Sequence, residues 1–246
     1  MAFIPDLAYF HNSMPHTATL ITTAVTSEAG PLIKALGLRR DRSLVRRRMV
    51  YTGQYADHPI VLAVTGMGRD QSRHVVDVLM RRCGPQRVLI SGTAGATCPK
   101  LNTGDVIIPD RVIDVDNDHV WQPTWPASTQ YTLRTGGAVI ESVDDKAGLY
   151  AEHIDAVDME TAGVADICEH YQTPWLCARA ICDTASMTMP PGSAKLVDRR
   201  GRPRLVGAVG YVLFHPGRVG ELMRLGAAAK CAAEALARVV PPLLEG

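Results

Sequence analysis

Between Ala156 and Ala185 the chain reads AVDMETAGVADICEHYQTPWLCARAICDTA, a run that admits few folds. Ala162, Val164, Ala165, Ile167 and Cys168 recur at helical spacing after Glu160, so one side of a helix is buried. Pro174 stops that helix. WLCARAI is apolar and too short for a helix, and it reads as a buried strand that leaves the sheet at Asp183, Thr184 and Ala185. With the strand-like IDAV in front, the unit is strand, helix, strand. Asp158 to Glu160 and Asp183 then lie at the carboxyl ends of consecutive strands, where open α/β sheets bind ligands. An active-site edge bearing carboxylates is expected there.

The preceding residues supply further strands for the same sheet. TLITTAV reads as a buried strand, and Ser27 with Glu28 begins the helix SEAGPLIKALG, closed by Gly37. Glu28 at that junction has one plain reading, a first-turn acid answering the helix dipole. MVYTGQY and HPIVLAVTG predict a hairpin turned at Ala56 to His58. Gly66-Met67-Gly68 follows, then a helix burying Val75, Val76, Val78, Leu79 and Met80. Gln71 stands where a dinucleotide fingerprint needs its third glycine, which disfavours a nicotinamide-dependent oxidoreductase. Gly66 and Gly68 serve either ligand contact or a tight turn. RVLIS reads as a short buried strand emptying into Gly92-Thr93-Ala94-Gly95, where small residues leave room for a sugar and Thr93 offers a hydroxyl. LNTGDVIIPDRVIDVD predicts a turn and an extended strand, with Asp105 a turn residue. Residues 119–137 predict a loop that walls a pocket.

Past Asp183 come a proline-stopped loop SMTMPPGSAK, the basic RRGRPR, the apolar LVGAVGYVLF and a long helix ending at Pro241. That helix is expected to align Val219, Leu222, Met223, Ala227, Cys231 and Ala235 on one side. Core or subunit interface is the plain role of this C-terminal segment; peripheral membrane contact is the second reading, because basic residues flank the apolar run.

At 246 residues and 46% hydrophobic content the chain suits one domain spanning residues 1–246, with residues 1–18 an irregular N-terminal arm. A net charge of +1 gives no global field for nucleic acid. RRDRSLVRRR, from Arg39 to Arg48, holds six arginines without interleaved aromatics, and phosphate or subunit contact fits it better than nucleic acid. Six cysteines at 83, 98, 168, 177, 182 and 231 show no metal-ligand spacing and read as buried thiols in a reducing cytoplasm. No run reaches the length of a membrane span, and the first 18 residues lack a signal peptide pattern.

Five blocks carry a resemblance across roughly two thirds of the chain: AVTSEAGPL, VTGMGRDQS, VLISGTAGATCPKLNTGDVIIPD, AVDMETAGVADIC and RAICDTA. Together they resemble the purine and uridine phosphorylase superfamily on its nucleosidase side, as in the methylthioadenosine/S-adenosylhomocysteine nucleosidases. SVDDKAGL, DTASMTMPP and GRPRL are similar to the hopanoid-associated phosphorylase subgroup. The resemblance implies a three-layer α/β/α sandwich with a central mixed twisted sheet, phosphorylase-like. It implies cleavage of the N-glycosidic bond of a purine nucleoside, adenine the favoured base, by hydrolysis or phosphorolysis. A 5′-substituted adenosine such as adenosylhopane is one candidate substrate.

Such cleavage passes through a sugar cation like that of glycoside hydrolysis, so the leaving base must be neutralised and a nucleophile placed behind the anomeric carbon. Asp183, desolvated at a strand end, is expected to stay protonated and to donate to a ring nitrogen of the base. Glu160 is expected to clamp the ribose hydroxyls, with Met159 against the ring and Asp158 beside it. By the resemblance Glu28 activates water and Thr93 contacts the ribose or that water, with Gly95, Gly66 and Gly68 close to the substrate. No metal or cofactor is required; phosphate is the one co-substrate left open, with Arg69, Arg73 and the arginine run as its possible holders. A homodimer or larger homo-oligomer is expected. Three departures stand out. Cys182 replaces the serine that often precedes the acid and is expected to hold Asp183 more loosely. Ile90 stands where many phosphorylases carry an arginine, which favours hydrolysis. GGAVIESVDD lacks the aromatic of the base-binding segment, which leaves base choice open. The competing class is a non-catalytic nucleoside-binding or regulatory protein, disfavoured by three intact carboxylates.

Overall fold

Side-chain alternation along the strands divides the core in two. In β1 (Thr19–Thr23), β4 (His58–Val64) and β5 (Arg87–Ala96), Leu20, Val61, Ala63, Val88 and Ile90 face one side, while Ile21, Ile60, Leu62 and Leu89 face the other. The first set packs against α2 (Arg69–Cys83) and α4 (Thr161–His170), through residues such as Val76, Leu79, Val164 and Ile167. The second packs against α1 (Thr26–Ala35) and α5 (Val219–Glu245), through Ala29, Leu32, Ala232 and Leu236. These layers make a three-layer α/β/α sandwich, as the resemblance implies. The structure is a computed structural model and describes residues 18–45, 48–125, 129–189 and 219–245.

The remaining elements are β2 (Arg39–Asp41), β3 (Met49–Tyr55), β6 (Val106–Ile107), β7 (Arg111–Asp114), β8 (Val120–Trp121), β9 (Thr132–Thr135), α3 (Val143–Ala151), β10 (Ala156–Asp158) and β11 (Trp175–Asp183). Among the described residues the sheet is mixed and runs β2-β3-β4-β1-β5-β10-β9-β7-β8, with β11 paired to β5 and to β6. Strand β5 sits at a split. β11 follows one of its edges from Val88 to Gly95 in parallel. Along the other edge β1 pairs only as far as Ile90, and β10 then takes over antiparallel at Gly95 and Ala96. The ends of β1, β10 and β11 therefore gather around the C-terminal half of β5, and the crevice between β1 and β10 is where a ligand can enter.

Several expectations change in detail. The 92–95 segment is not a turn after a short strand, because β5 continues through it to Ala96. The 119–137 segment is not all loop: β8 and the central strand β9 lie in it, with Leu133 fully buried. The extended strand after Asn102 is two short strands, β6 and β7. Helix α5 does not end at Pro241 but runs to Glu245, held by buried Val240 and Leu244 and by a hydrogen bond from Arg87 to the Leu244 carbonyl. Its buried side carries Ala232, Ala233, Ala235, Leu236 and Val240, whereas Met223, Ala227 and Cys231 are exposed. The hairpin turns as expected, with Ala56 and Asp57 both at positive φ between the paired Tyr55 and His58. Arg39 and Arg40 lie on β2; Arg40 stacks on the Tyr51 ring and donates to the Arg48 carbonyl at 3.0 Å. The described cysteines are free thiols, four of them buried, Cys182 half-buried and Cys231 exposed. No helix among the described residues is long and apolar enough to cross a membrane. The N-terminal arm to His16 and Thr17, the RRGRPR run and the LVGAVGYVLF segment lie outside the described residues.

Candidate active site

A cavity of about 440 Å³ opens at the split beside β5. Glu28, Thr93, Gly95, Asp158, Met159, Glu160 and Asp183 all line it, so residues far apart in the chain meet as the sequence predicts. Gly66 and Gly68 do not line it; Met67 between them does. Both glycines hold positive φ, of 91° and 93°, and their amides are spent inside the protein. Gly66 donates to the Ala24 carbonyl at 3.0 Å, and Gly68 donates to Glu160 Oε1 at 2.8 Å. Both shape the turn, and Gly68 holds Glu160.

Glu28 stands in the first turn of α1 and lines the cavity. Its Oε2 accepts from the Ala24 and Val25 amides at 3.0 and 3.2 Å, which satisfies free donors at the start of α1. Its Oε1 accepts from the Thr93 amide at 2.9 Å and the Thr93 hydroxyl at 2.8 Å. Four donors fill the carboxylate, so a water that gives it a proton must displace one of them. The Thr93 hydroxyl can rotate and take that water in its place.

Glu160 stands at the first position before α4, buried beside Asp158, whose carboxylate accepts from the Thr161 amide there. Burial first, and then the Asp158 charge, push its carboxyl up to about 7, against the pull of Arg179 and the Gly68 N–H. Asp158 is a scaffold carboxylate. Its Oδ1 accepts from Thr135 Oγ1 at 2.6 Å, and its Oδ2 accepts from the Thr161 amide and hydroxyl at 2.9 and 2.6 Å and from Arg179. Arg179 is 1% exposed and also reaches within 3.9 Å of Glu160 Oε2. Burial works against its charge, but Asp158 together with Cys177, Glu160 and Glu28 outweighs it and raises the guanidinium further.

Asp183 has surroundings that the sequence reading did not foresee. It is buried at the strand end as expected, and the fully buried Lys146 stands 2.6 Å from its Oδ2. Cys182 does not leave the acid loose: its thiol donates to Asp183 Oδ1 at 3.2 Å. Burial, and then the Asp183 charge, push that thiol well up, so it stays a donor. Gly95 lines the cavity and also makes room for Asp183, since a Cβ there would lie 2.8 Å from Asp183 Oδ2. Gly92 likewise makes room for the Arg179 guanidinium.

Lys146 and Arg179 are the residues that sequence reasoning missed. A lone arginine inside the apolar strand WLCARAI signals a buried charge that needs a carboxylate. For Lys146 the signal was fainter, a lysine on α3, whose start is fixed where the Ser142 hydroxyl accepts from the Asp145 amide at 3.0 Å. Two of the arginines considered for phosphate pair with aspartates elsewhere, while Arg46 and Arg47 of the arginine run lie outside the described residues. Arg69 bonds Asp114 at 2.7 Å and Arg73 bonds Asp166 at 2.5 Å, and neither lines the cavity.

Comparison with known proteins places the fold and the family. A sequence profile of the phosphorylase superfamily matches residues 19–137 and 130–202. A 5′-methylthioadenosine/S-adenosylhomocysteine nucleosidase of Oceanobacillus iheyensis is 26% identical over 166 residues, 55% of this chain and 72% of that protein. Among solved structures, the futalosine hydrolase of Helicobacter pylori superposes with a TM-score of 0.71 at 18% identity, covering 93% of this chain and 97% of that one. A Helicobacter pylori nucleosidase mutant with 5′-methylthioadenosine in its active site gives 0.71 at 17% identity, covering 93% and 98%. At such identities the superpositions speak to the fold, while the profile spans most of the chain. The chain belongs to the phosphorylase superfamily, as an enzyme of the nucleosidase and nucleoside phosphorylase kind.

Proposed function

We propose that this protein hydrolyses the N-glycosidic bond of an adenine nucleoside carrying a 5′ substituent. The observation that carries the reading is that Glu28, Glu160 and Asp183 line one cavity from three separate elements, with no Lys, Arg or His among its described lining residues. As the bond lengthens, positive charge builds on the sugar and negative charge on the base. Asp183 meets the base and, having taken up a proton from solvent, delivers it to a ring nitrogen; the carboxylate left behind is the form that the Lys146 ammonium stabilises. Glu160 accepts hydrogen bonds from the ribose hydroxyls, and Glu28 with Thr93 holds the attacking water on the opposite face.

Phosphorolysis needs cations around a phosphate anion, and the described residues lining the cavity include none. The commitment of Arg69 and Arg73 to aspartates supports the same preference. Apolar walls from Met67, Met189, Leu225 and Ala229 suit an apolar 5′ group, whether a methylthio group or the larger hydrocarbon of adenosylhopane.

The test is release of free adenine from 5′-methylthioadenosine and from adenosylhopane, with and without phosphate. Adenine and the free sugar product are expected in phosphate-free buffer, with no acceleration by phosphate. Adenine only in the presence of phosphate overturns hydrolysis. No adenine from either compound sinks the reading altogether.

A further inference from the structure

Lys146 lies behind the cavity wall and is the one fully buried lysine among the described residues. Its ammonium donates to Asp183 Oδ2 at 2.6 Å, to the Thr184 carbonyl at 2.9 Å and to the Met187 carbonyl at 3.0 Å. An ammonium has three donors, and all three are used, so the group has one orientation. Two of the acceptors are backbone of the segment that leaves β11 and leads to Met189, which lines the cavity. The Met189 amide in turn donates to the Glu141 carbonyl at 3.0 Å, just ahead of α3. One side chain thus ties the carboxylate, the turn after it and the helix behind it into a single unit.

Stability alone is a weak reason for such a pair. A well-packed apolar side chain of similar volume commonly serves a core as well as a buried ion pair does. What the ammonium adds is direction, because it pins one carboxylate oxygen while Cys182 reaches the other. We propose that Lys146 is a positioning residue for Asp183, holding the carboxylate at the angle from which it meets the leaving base. The proposal rests on the reading of Asp183 as the acid. Displacing a reacting group by about 1 Å can cost roughly 10²-fold in rate, and that is the size of effect expected.

The experiment is a double-mutant cycle on adenine release from 5′-methylthioadenosine, using Lys146→Met, Asp183→Asn and the two combined. Lys146→Met alone is expected to lower kcat about 100-fold with KM changed by less than about threefold. In the Asp183→Asn background the same substitution is expected to cost less than about threefold, since no carboxylate remains to be aimed. Equal losses in both backgrounds mark Lys146 as merely structural and overturn the proposal. An unchanged or faster Lys146→Met enzyme overturns it as well. Asp183→Asn at the full wild-type rate removes the acid assignment itself, a different failure from additive losses in the cycle. Lys146→Gln, which keeps a donor for the carbonyls but no charge, carries the same cycle if the methionine variant does not fold.

Discussion

A Cβ built on Gly95 would stand 2.8 Å from Oδ2 of Asp183 and 3.1 Å from its Oδ1. Gly95 on β5 pairs with Asp183 on β11 and, across its other edge, with Val157 on β10. The missing side chain is therefore the space in which the carboxylate turns toward the cavity. Gly95→Ala is expected to fold, at a cost of about 1–3 kcal/mol for overpacking, and to lose turnover by at least about tenfold. Urea unfolding and adenine release, measured together, check the two parts. A variant with full turnover would show that Asp183 acts from another orientation.

Asp183→Asn keeps the volume of the side chain but not a transferable proton. A general acid in position contributes roughly 10²–10⁴-fold, and kcat is expected to fall within that range. KM should change little, because the ribose clamp is untouched. Steady-state kinetics on 5′-methylthioadenosine decide it. Turnover within threefold of wild type would strike Asp183 from the mechanism.

How much of this was legible in the residues depends on where the forces were local. Helices α1, α2 and α4 follow from apolar spacing and stops within their own sequence, as does the turn at Ala56 and Asp57. The gathering of Glu28, Thr93, Glu160 and Asp183 was legible from strand ends and from the family blocks. Strand β9 was not, because its burial comes from β7 and β10 on either side and not from its own alternation. The hidden cations were missed for a related reason. Lys146 and Arg179 look like surface residues in composition, and only the fold brings each to its carboxylate. The glycines at 92 and 95 were read as room for a sugar, and the nearest atoms they accommodate belong to those same charged pairs.

Glu160 gives the site a dependence on pH. Burial and the neighbouring Asp158 raise its carboxyl from an ordinary 4.5 to about 7. Between those values the folded protein holds a proton there that the unfolded chain has released. This contribution to stability is therefore present in acid and declines as pH rises toward about 7. Activity has the opposite sign, because the charged form accepts the ribose hydroxyls. We expect kcat/KM to climb about tenfold per pH unit below about 7 and to level off above it. Glu160→Gln should flatten that limb while lowering affinity. An acid limb unchanged in the glutamine variant assigns the titration to a different group.

Arg179 balances the acidic floor of the cavity, and its removal separates charge from packing. Its guanidinium bonds Asp158 and the Thr161 hydroxyl, lies 3.9 Å from Glu160 Oε2 and fills the space beside Gly92. Arg179→Met leaves Asp158 buried without a counter-ion, a loss of about 3–5 kcal/mol by analogy with other broken buried pairs. It also removes a charge that lowers the Glu160 carboxyl, so the acid limb of kcat/KM should move to higher pH. Arg179→Met combined with Asp158→Asn takes away both charges; the Thr161 hydroxyl can still donate to the amide oxygen, and the Thr135 hydroxyl oxygen can accept from the amide NH2. With no unpaired charge left in the core, the double variant should recover much of the stability lost in the single one. Urea unfolding of the three proteins measures the recovery. If the double variant is less stable than Arg179→Met, the arginine serves mainly as packing, and the electrostatic account of the cavity floor fails.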